Sequence, residues 1–446
     1  MARAVERRMN DVQIYPRHAR GDQTHMRFPT TIEALLDMGP DFLTSAFRAT
    51  GAISPDNAIT AILGTKEFFG GGMGRKLIID VAYARDEGAP TKLFAKFPRN
   101  FGDPLRDWFT PPMEPETRFA LLSRRSGFPV AVPRCMFADY DASIPTGLLI
   151  TECIAFGTGR IEPAADKCMD DQLPNPLEHY EALTLAMAGL AAAHKTGKLG
   201  EHVNEQFPYN PRDVDTPLIL SDEAGLRAKL DRIQTFAREK PGFFLDGIGD
   251  PTFLERFAED ALLVRQMESA IRLHLNLQRD YVAMCHWNMN VDNGWFWRDD
   301  TGRLQVGLMD WGSVGQMHLA QAFFGMTCGA LPSFLSQHRD RLVSLLAQEY
   351  ARLGGPAIDP DHLAEQIRLA IAVLGVAWML DAPEIIEREV PDLADVQDGH
   401  DPRLRDNFLA RAQLQLLVTL LNEWRGTDIG GAIRRFARAG LAATAA

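Results

Sequence analysis

The chain has few cysteines, no long apolar run and no excess of positive charge, and each shortage excludes a class of protein. Its five cysteines, Cys135, Cys153, Cys168, Cys285 and Cys328, are scattered, odd in number and form no C-x-x-C pair. Neither a disulfide framework nor a cysteine metal site is expected, and reduced thiols fit an intracellular setting. No apolar stretch reaches the roughly 18 residues a membrane-spanning helix needs, so no membrane partner is expected. The basic start M-A-R-A-V-E-R-R-M-N is not followed by an apolar segment, which argues against a signal peptide and for a cytoplasmic protein. With 59 acidic against 47 basic residues and a net charge of −12, the composition disfavours the basic face that binds phosphate backbones, though it leaves room for a local basic pocket. Nucleic acid is therefore not an expected partner.

What is present is a change of texture along 446 residues, a length that suits two lobes better than one core. Residues 1–27 carry six Arg and no apolar periodicity, and read as a loose tail or as an extension ahead of Met9 or Met26. Residues 30–50 predict a short helical pair, with Thr30 or Thr31 as N-cap. From Ala58 the texture is strand: A-I-T-A-I-L-G, K-L-I-I-D-V-A-Y and K-L-F-A-K-F, with G-G-G-M-G between the first two. A helix is expected around 114–126, then further strands to residue 154. Beyond that the pattern is mainly helical, over 181–195, 225–237, 253–278, 340–353, 360–380 and 404–425. One hairpin interrupts it at 295–310, turning at Asp299–Gly302. The expected class is α+β, with a small β-rich lobe over 28–150 followed by a larger, mainly helical lobe.

Four features could carry chemistry. Gly70, Gly71, Gly72 and Gly74 lie between two strands, where backbone could approach a phosphate without Cβ interference. Taken alone, a plain hairpin turn explains them as well. Lys96 lies inside the apolar strand L-F-A-K-F-P, where its charge is costly to bury unless an anion faces it. An edge-strand lysine reaching to water is the plainer alternative. Glu116, twenty residues on, lies in the first turn of a helix and could pair with Lys96, with Glu114 as a rival. The fourth feature is M-C-H-W-N-M-N-V-D-N-G-W-F-W, residues 284–297. It has the spacing of a kinase catalytic loop, His-x-Asp followed by four residues and Asn, with His286 and Asn293 in place but Asn288 where the Asp should be. After the hairpin comes Met309-Asp310-Trp311-Gly312. Asn293 and Asp310 would offer a carbonyl oxygen and a carboxylate, a donor pair suited to Mg²⁺. Phosphoryl transfer needs phosphates held, metal placed and a hydroxyl oriented, and the four features fit those tasks in order.

With these motifs the sequence resembles the aminoglycoside phosphotransferase and choline kinase-like superfamily, and within it most resembles the ecdysteroid kinase-like branch. The resemblance runs from about Asp37 to the C-terminus. It is carried by D-M-G-P-D-F-L-T-S-A-F-R, L-F-A-K-F-P, E-T-R-F-A-L-L, V-A-V-P-R-C-M-F-A-D, C-H-W-N-M-N-V-D-N and L-M-D-W-G. It implies a protein-kinase-like two-lobed fold, with the sheet lobe ending near Ile150, a hinge at 151–154 and a C-lobe over 155–446. Asn288, Asn293 and Asp310 would meet in the cleft between lobes. ATP and Mg²⁺ are the implied cofactors. Lys96 would contact the nucleotide phosphates with Glu116 as its partner, and the hinge, including Glu152 and Ile154, would hold adenine through backbone groups. Asn293 and Asp310 would bind the metal, and a hydroxyl of a small molecule would accept the phosphate.

The departures bear on activity. The family's His-Gly-Asp is here His286-Trp287-Asn288. An Asn oxygen can accept a hydrogen bond from an acceptor hydroxyl but cannot usefully take its proton, and a general base contributes about 10²–10⁴-fold. His286 is expected to pack and hydrogen-bond the loop rather than bind metal, and Asp292 to point elsewhere. Three readings follow: a small-molecule phosphotransferase with an altered loop, a pseudokinase that binds nucleotide or metabolite, or a kinase fold transferring another group such as a nucleotidyl unit. Asp381–Asp401 carries eight acids and a single Arg. It could form a rim attracting cationic acceptors, although a solvated acidic loop is the plainer reading. Trp287, Trp295, Trp297 and Trp311 around the loop hint at an apolar or ring-bearing acceptor.

Overall fold

Alternation along three apolar segments builds the first layer of the structure. The computed structural model describes residues 15–68 and 74–444, so Gly70, Gly71 and Gly72 lie outside the described residues. The chain divides into two units. The first comprises the residues to Phe128, Val132–Ile154 and Trp311–Val314; the second comprises Pro129–Ala131, Ala155–Asp310 and the residues from Gly315 on. Together they are mixed α+β, with a sheet in one unit and most of the helices in the other.

The first unit contains β1 (His18–Arg20), β2 (Arg27–Pro29), α1 (Ile32–Ala49), β3 (Ile59–Phe68), β4 (Arg75–Tyr83), β5 (Lys92–Phe97), α2 (Met113–Leu122), β6 (Cys135–Asp141) and β7 (Thr146–Glu152). Strands β3-β4-β5-β7-β6 form one antiparallel sheet in that order. Successive side chains point to opposite faces. Leu77, Ile79, Val81, Leu93, Ala95 and Phe97 therefore share one face, where they pack with Leu35, Phe42, Leu43 and Phe47 of α1. Each such large side chain contributes roughly 1.5–3 kcal/mol by leaving water. The opposite face carries Leu149, Ala138 and Tyr140, which cluster with Met113 of α2. In α1, Thr31 caps the N-terminus by accepting from Ala34 N–H at 3.2 Å, and the helix kinks at Gly39-Pro40, where Gly39 has φ +58°. This is the expected helical pair.

The tail expectation fails within the described residues. β1 and β2 pair through His18–Pro29, Ala19–Phe28 and Arg20–Arg27. The Asp139 carboxylate of β6 accepts from Gln23 N–H at 3.0 Å, Thr24 N–H at 2.8 Å and the Thr24 hydroxyl. Gly21 is required there, since a Cβ would lie 1.8 Å from Asp139 Oδ2. The anchor sits 115 residues away, outside any local pattern.

The second unit is built on α3 (Pro176–Lys195), α4 (Glu223–Glu239), α5 (Pro251–Leu277), β8 (Val282–Cys285), β9 (Gly294–Arg298), β10 (Leu304–Leu308), β11 (Gly315–His318), α6 (Leu319–Thr327), α7 (Pro332–Arg352), α8 (Pro360–Trp378), α9 (Ala382–Glu389), α10 (Phe408–Gly426) and α11 (Ile429–Thr444). α7 begins eight residues before the predicted start, with Pro332 in its first turn. The predicted 404–425 helix is broken at Asn407, whose side chain accepts from Leu409 and Ala410 N–H and so caps α10. α11 was not anticipated. β9 and β10 form the expected hairpin, and β8 pairs with β11. Among the described residues no single helix is long and apolar enough to cross a membrane; α8 and α9 pass that test only as a pair bent by 44°.

Candidate functional site

Lys96 occupies the face of β5 opposite Leu93, Ala95 and Phe97, directly across from Leu149 on β7. That face lies under α2, which is why the lysine meets a helix and not water. Its Nζ donates to both Glu116 oxygens, at 2.9 and 2.8 Å, and the two side chains are only 7% and 4% exposed. Glu114, the rival, pairs with Arg118 one turn along α2. Of the four glycines, Gly74 is described, and its missing Cβ would lie 2.1 Å from Phe97 O. Close approach of β4 to β5 accounts for that glycine.

In the 151–154 segment most backbone groups are committed within the sheet unit. Glu152 N–H donates to Arg134 O at 2.9 Å and Cys153 N–H to Lys92 O at 3.0 Å, while the Thr151 hydroxyl donates to Glu152 O at 3.0 Å. The Glu152 side chain accepts from Arg134 N–H at 2.7 Å. The backbone of Ile154 has no hydrogen-bond partner among the described residues.

The loop in the second unit connects β8 to β9, and residues 309–314 connect β10 to β11. The β9–β10 ladder pairs Gly294 with Leu308 and continues one step further, with Met309 N–H donating to Asn293 O at 2.9 Å. Asp310 thus follows directly on the residue facing Asn293. His286 is fully buried and closes the loop. Its Nδ1 accepts from Asn288 N–H at 3.0 Å, so the proton sits on Nε2, which donates to Met309 O at 2.9 Å. Both ring nitrogens are consumed in this way, and the imidazole is a clamp. Asn293 Nδ2 donates to Asn288 O at 2.8 Å, turning the amide so that Oδ1 is the atom left for a cation. The backbone of Asn288 is pinned at both polar atoms, whereas its half-buried side chain makes no hydrogen bond among the described residues. Asp310 is exposed and held at φ +57°, a region that non-glycine residues enter only when their surroundings impose it.

The donor chemistry fits a magnesium ion. An amide oxygen and a carboxylate are hard ligands, and Mg²⁺ takes few protein ligands, filling its shell with phosphate and water. No group of three or more His, Cys, Asp or Glu suited to a metal occurs among the described residues.

Two features of the loop, the contacts of Lys167 and of Asn290, were beyond sequence reasoning. Lys167 donates to Asn290 Oδ1 at 2.8 Å and to the Asp292 oxygens at 3.3 and 3.4 Å. Burial disfavours the Lys167 ammonium, but the Asp292 carboxylate outweighs that and raises its pKa above the ordinary lysine value. Asn290 Nδ2 donates to the Gly325 and Met326 carbonyls at the end of α6, at 2.7 and 3.1 Å. Asp292, next in sequence to Asn293, is thereby drawn to Lys167.

Trp287, Trp295 and Trp311 each pack on a different ring. Trp287 packs edge-on against Trp378 at 4.8 Å, Trp295 stacks on Trp297 at 6.3 Å, and Trp311 stacks on Phe119 of α2 at 4.0 Å. Acids of the 381–401 stretch are paired with basic residues. Asp381 pairs with Lys229, Glu384 with Arg232, and Asp392 and Asp401 with Arg403. These partners lower the field that a cationic acceptor would feel.

No family model matches the chain, and no curated protein matches it. Solved structures do. A choline/ethanolamine kinase family protein from Mesorhizobium loti aligns over 88% of this chain and 98% of its own, at 14% identity and a TM-score of 0.40. An ethanolamine kinase from Plasmodium vivax aligns over 81% and 83%, at 11% identity and a TM-score of 0.40. An aminoglycoside-3'-phosphotransferase of type VIII aligns over 74% and 98%, at 17% identity and a TM-score of 0.34. These scores are low, so the functional reading rests on the residues of this chain.

Proposed function

We propose that the chain is an ATP-dependent phosphotransferase acting on a hydroxyl of a small molecule. It fits the aminoglycoside phosphotransferase and choline kinase-like superfamily, with sequence motifs most like the ecdysteroid kinase-like branch and a protein-kinase-like arrangement of parts. The observation that carries this reading is the 2.9 Å bond from Met309 N–H to Asn293 O, which brings an amide and a carboxylate to adjoining backbone positions. Asn293 Oδ1 and Asp310 would hold Mg²⁺, whose charge offsets that on the transferring phosphate. Lys96, oriented by Glu116, would contact the nucleotide phosphates, and Ile154 N–H and C=O would meet adenine. The Asn288 amide would accept a hydrogen bond from the acceptor hydroxyl and orient it. The proton would then leave late or to solvent, which a loose transition state tolerates. Five free thiols suit a cytoplasmic setting.

The pseudokinase reading has one observation in its favour: Asn288 cannot take up a proton. Phosphate transfer from labelled ATP to a panel of hydroxyl acceptors separates the two, with Asn288→Asp alongside. The near-isosteric carboxylate is expected to raise turnover about 10²-fold on the true acceptor. Mg²⁺-ATP binding without transfer by either form would support the pseudokinase instead.

A further inference from the structure

Lys167 lies in an irregular segment ahead of α3, yet its ammonium reaches two residues of the 286–293 loop that are 123 and 125 positions away. Its surroundings fix it from both ends. The Lys167 carbonyl accepts from Arg411 Nε of α10 at 2.9 Å, and Nζ is shared between Asn290 and Asp292. Asn290 is a four-way junction. It accepts from Lys167 on Oδ1, donates from Nδ2 to the two α6 carbonyls, and accepts from Asn293 N–H on its backbone oxygen at 3.0 Å. The α6 carbonyls belong to the last turn of a helix, where they lack partners within the helix. Asn293 in turn donates to Asn288 O. A continuous chain of hydrogen bonds therefore runs from α10 through Lys167 and Asn290 to the two asparagines of the proposed site.

We propose that Lys167 is a positioning residue for this loop: it locks Asn290, sets the presentation of Asn293 and Asn288 through it, and keeps the Asp292 carboxylate away from the neighbouring cation site. This inference rests on the proposed phosphotransferase reading, since it is the metal and acceptor groups that are being positioned. Its physical basis is charge and geometry. Without the ammonium, the Asn290 amide loses its acceptor-side anchor. A carboxylate that is 18% exposed and adjacent to Asn293 is then released. Outer partners of metal ligands typically hold 10–100-fold of metal affinity.

The test uses the full chain with Lys167→Met, Lys167→Arg and Asp292→Asn, read by amide hydrogen exchange of the 286–293 segment and by Mn²⁺-ATP titration. Lys167→Met is expected to speed exchange of the loop amides about tenfold or more, while peptides from the sheet unit keep their protection. Mn²⁺-ATP affinity is expected to fall about tenfold, within the range known for such partners. Lys167→Arg should restore most of both. Asp292→Asn, which leaves the Asn290 anchor in place, should change exchange less. Loop exchange that rises only in step with the rest of the unit would overturn the proposal, because a merely structural lysine behaves that way. So would Mn²⁺-ATP binding that Lys167→Met leaves unchanged. Failure of the wild type to bind Mn²⁺-ATP at all would sink the phosphotransferase reading and this inference with it.

Discussion

Two lysines, Lys96 and Lys167, are drawn out of water by carboxylates, one in each unit, and they are built differently. Lys96 and Glu116 form a buried, bidentate pair between a strand and a helix, each side chain under a tenth exposed. Lys167 divides its ammonium between an amide at 2.8 Å and a carboxylate at 3.3 Å, with both ends of the ion pair about a fifth exposed. Taking two charges fully out of water costs several kcal/mol per ion before their attraction offsets it. Removing one member of the first pair therefore leaves a buried charge without that counter-charge. The second is graded, because solvent and Asn290 share the load. A buried pair suits holding one side chain in one place. A shared one suits coordinating several groups of a loop.

The largest effect should come from breaking the buried pair. Lys96→Met leaves Glu116 buried without its lysine and is expected to cost about 3–5 kcal/mol in denaturant unfolding. The double variant Lys96→Met/Glu116→Leu should regain most of that stability while binding ATP no better than the single variant. Recovery of ATP affinity along with stability would make the pair purely structural.

A buried acid close to Lys167 sharpens the contrast. Asp170 accepts from the Tyr180 hydroxyl at 2.6 Å, and burial pushes its pKa up to about 6. Because its folded pKa lies above the unfolded value, its contribution is full below about pH 4 and is lost as pH rises through 6. Asp170→Asn keeps an oxygen for Tyr180 and removes the charge. It should stabilise the protein by up to about 3 kcal/mol at pH 7–8 and leave it nearly unchanged near pH 4. Unfolding midpoints across that range would check this, and a gain independent of pH would contradict it.

The smallest stability effect is expected at the graded pair. Lys167→Met should cost about 1–2 kcal/mol, since the Asp292 carboxylate keeps some access to water. A loss as large as that at Lys96 would show that the two pairs do the same structural work.

The same contrast explains what the sequence could and could not reveal. Lys96 was readable because period-two alternation puts it on the face opposite Leu93, Ala95 and Phe97, and Glu116 falls within the first turn of a recognisable helix. The hairpin turn was readable because Asp299 Oδ1 bonds locally, to Thr301 and Arg303 N–H, and Gly302 supplies φ +82°. Lys167 was not, since it lies in a segment without period and its partners are more than a hundred residues distant. The β1–β2 hairpin was misread for the same reason, its anchor being Asp139. The charge of Asp381 and Glu384 is met by Lys229 and Arg232, each 152 residues away, so the acidic stretch looked freer than it is. Local chemistry is legible in one chain, whereas pairing across the fold is not.

The central claim is that Asn293 and Asp310 hold a magnesium ion for a bound nucleotide. Calorimetric titration of ATP with and without Mg²⁺, on the wild type and on Asn293→Ala and Asp310→Ala, tests it most directly. The expected result is ATP binding that strengthens at least tenfold with Mg²⁺ in the wild type, an enhancement that each variant abolishes without a matching loss of stability. ATP affinity indifferent to Mg²⁺, or an enhancement that survives both substitutions, would contradict the assignment.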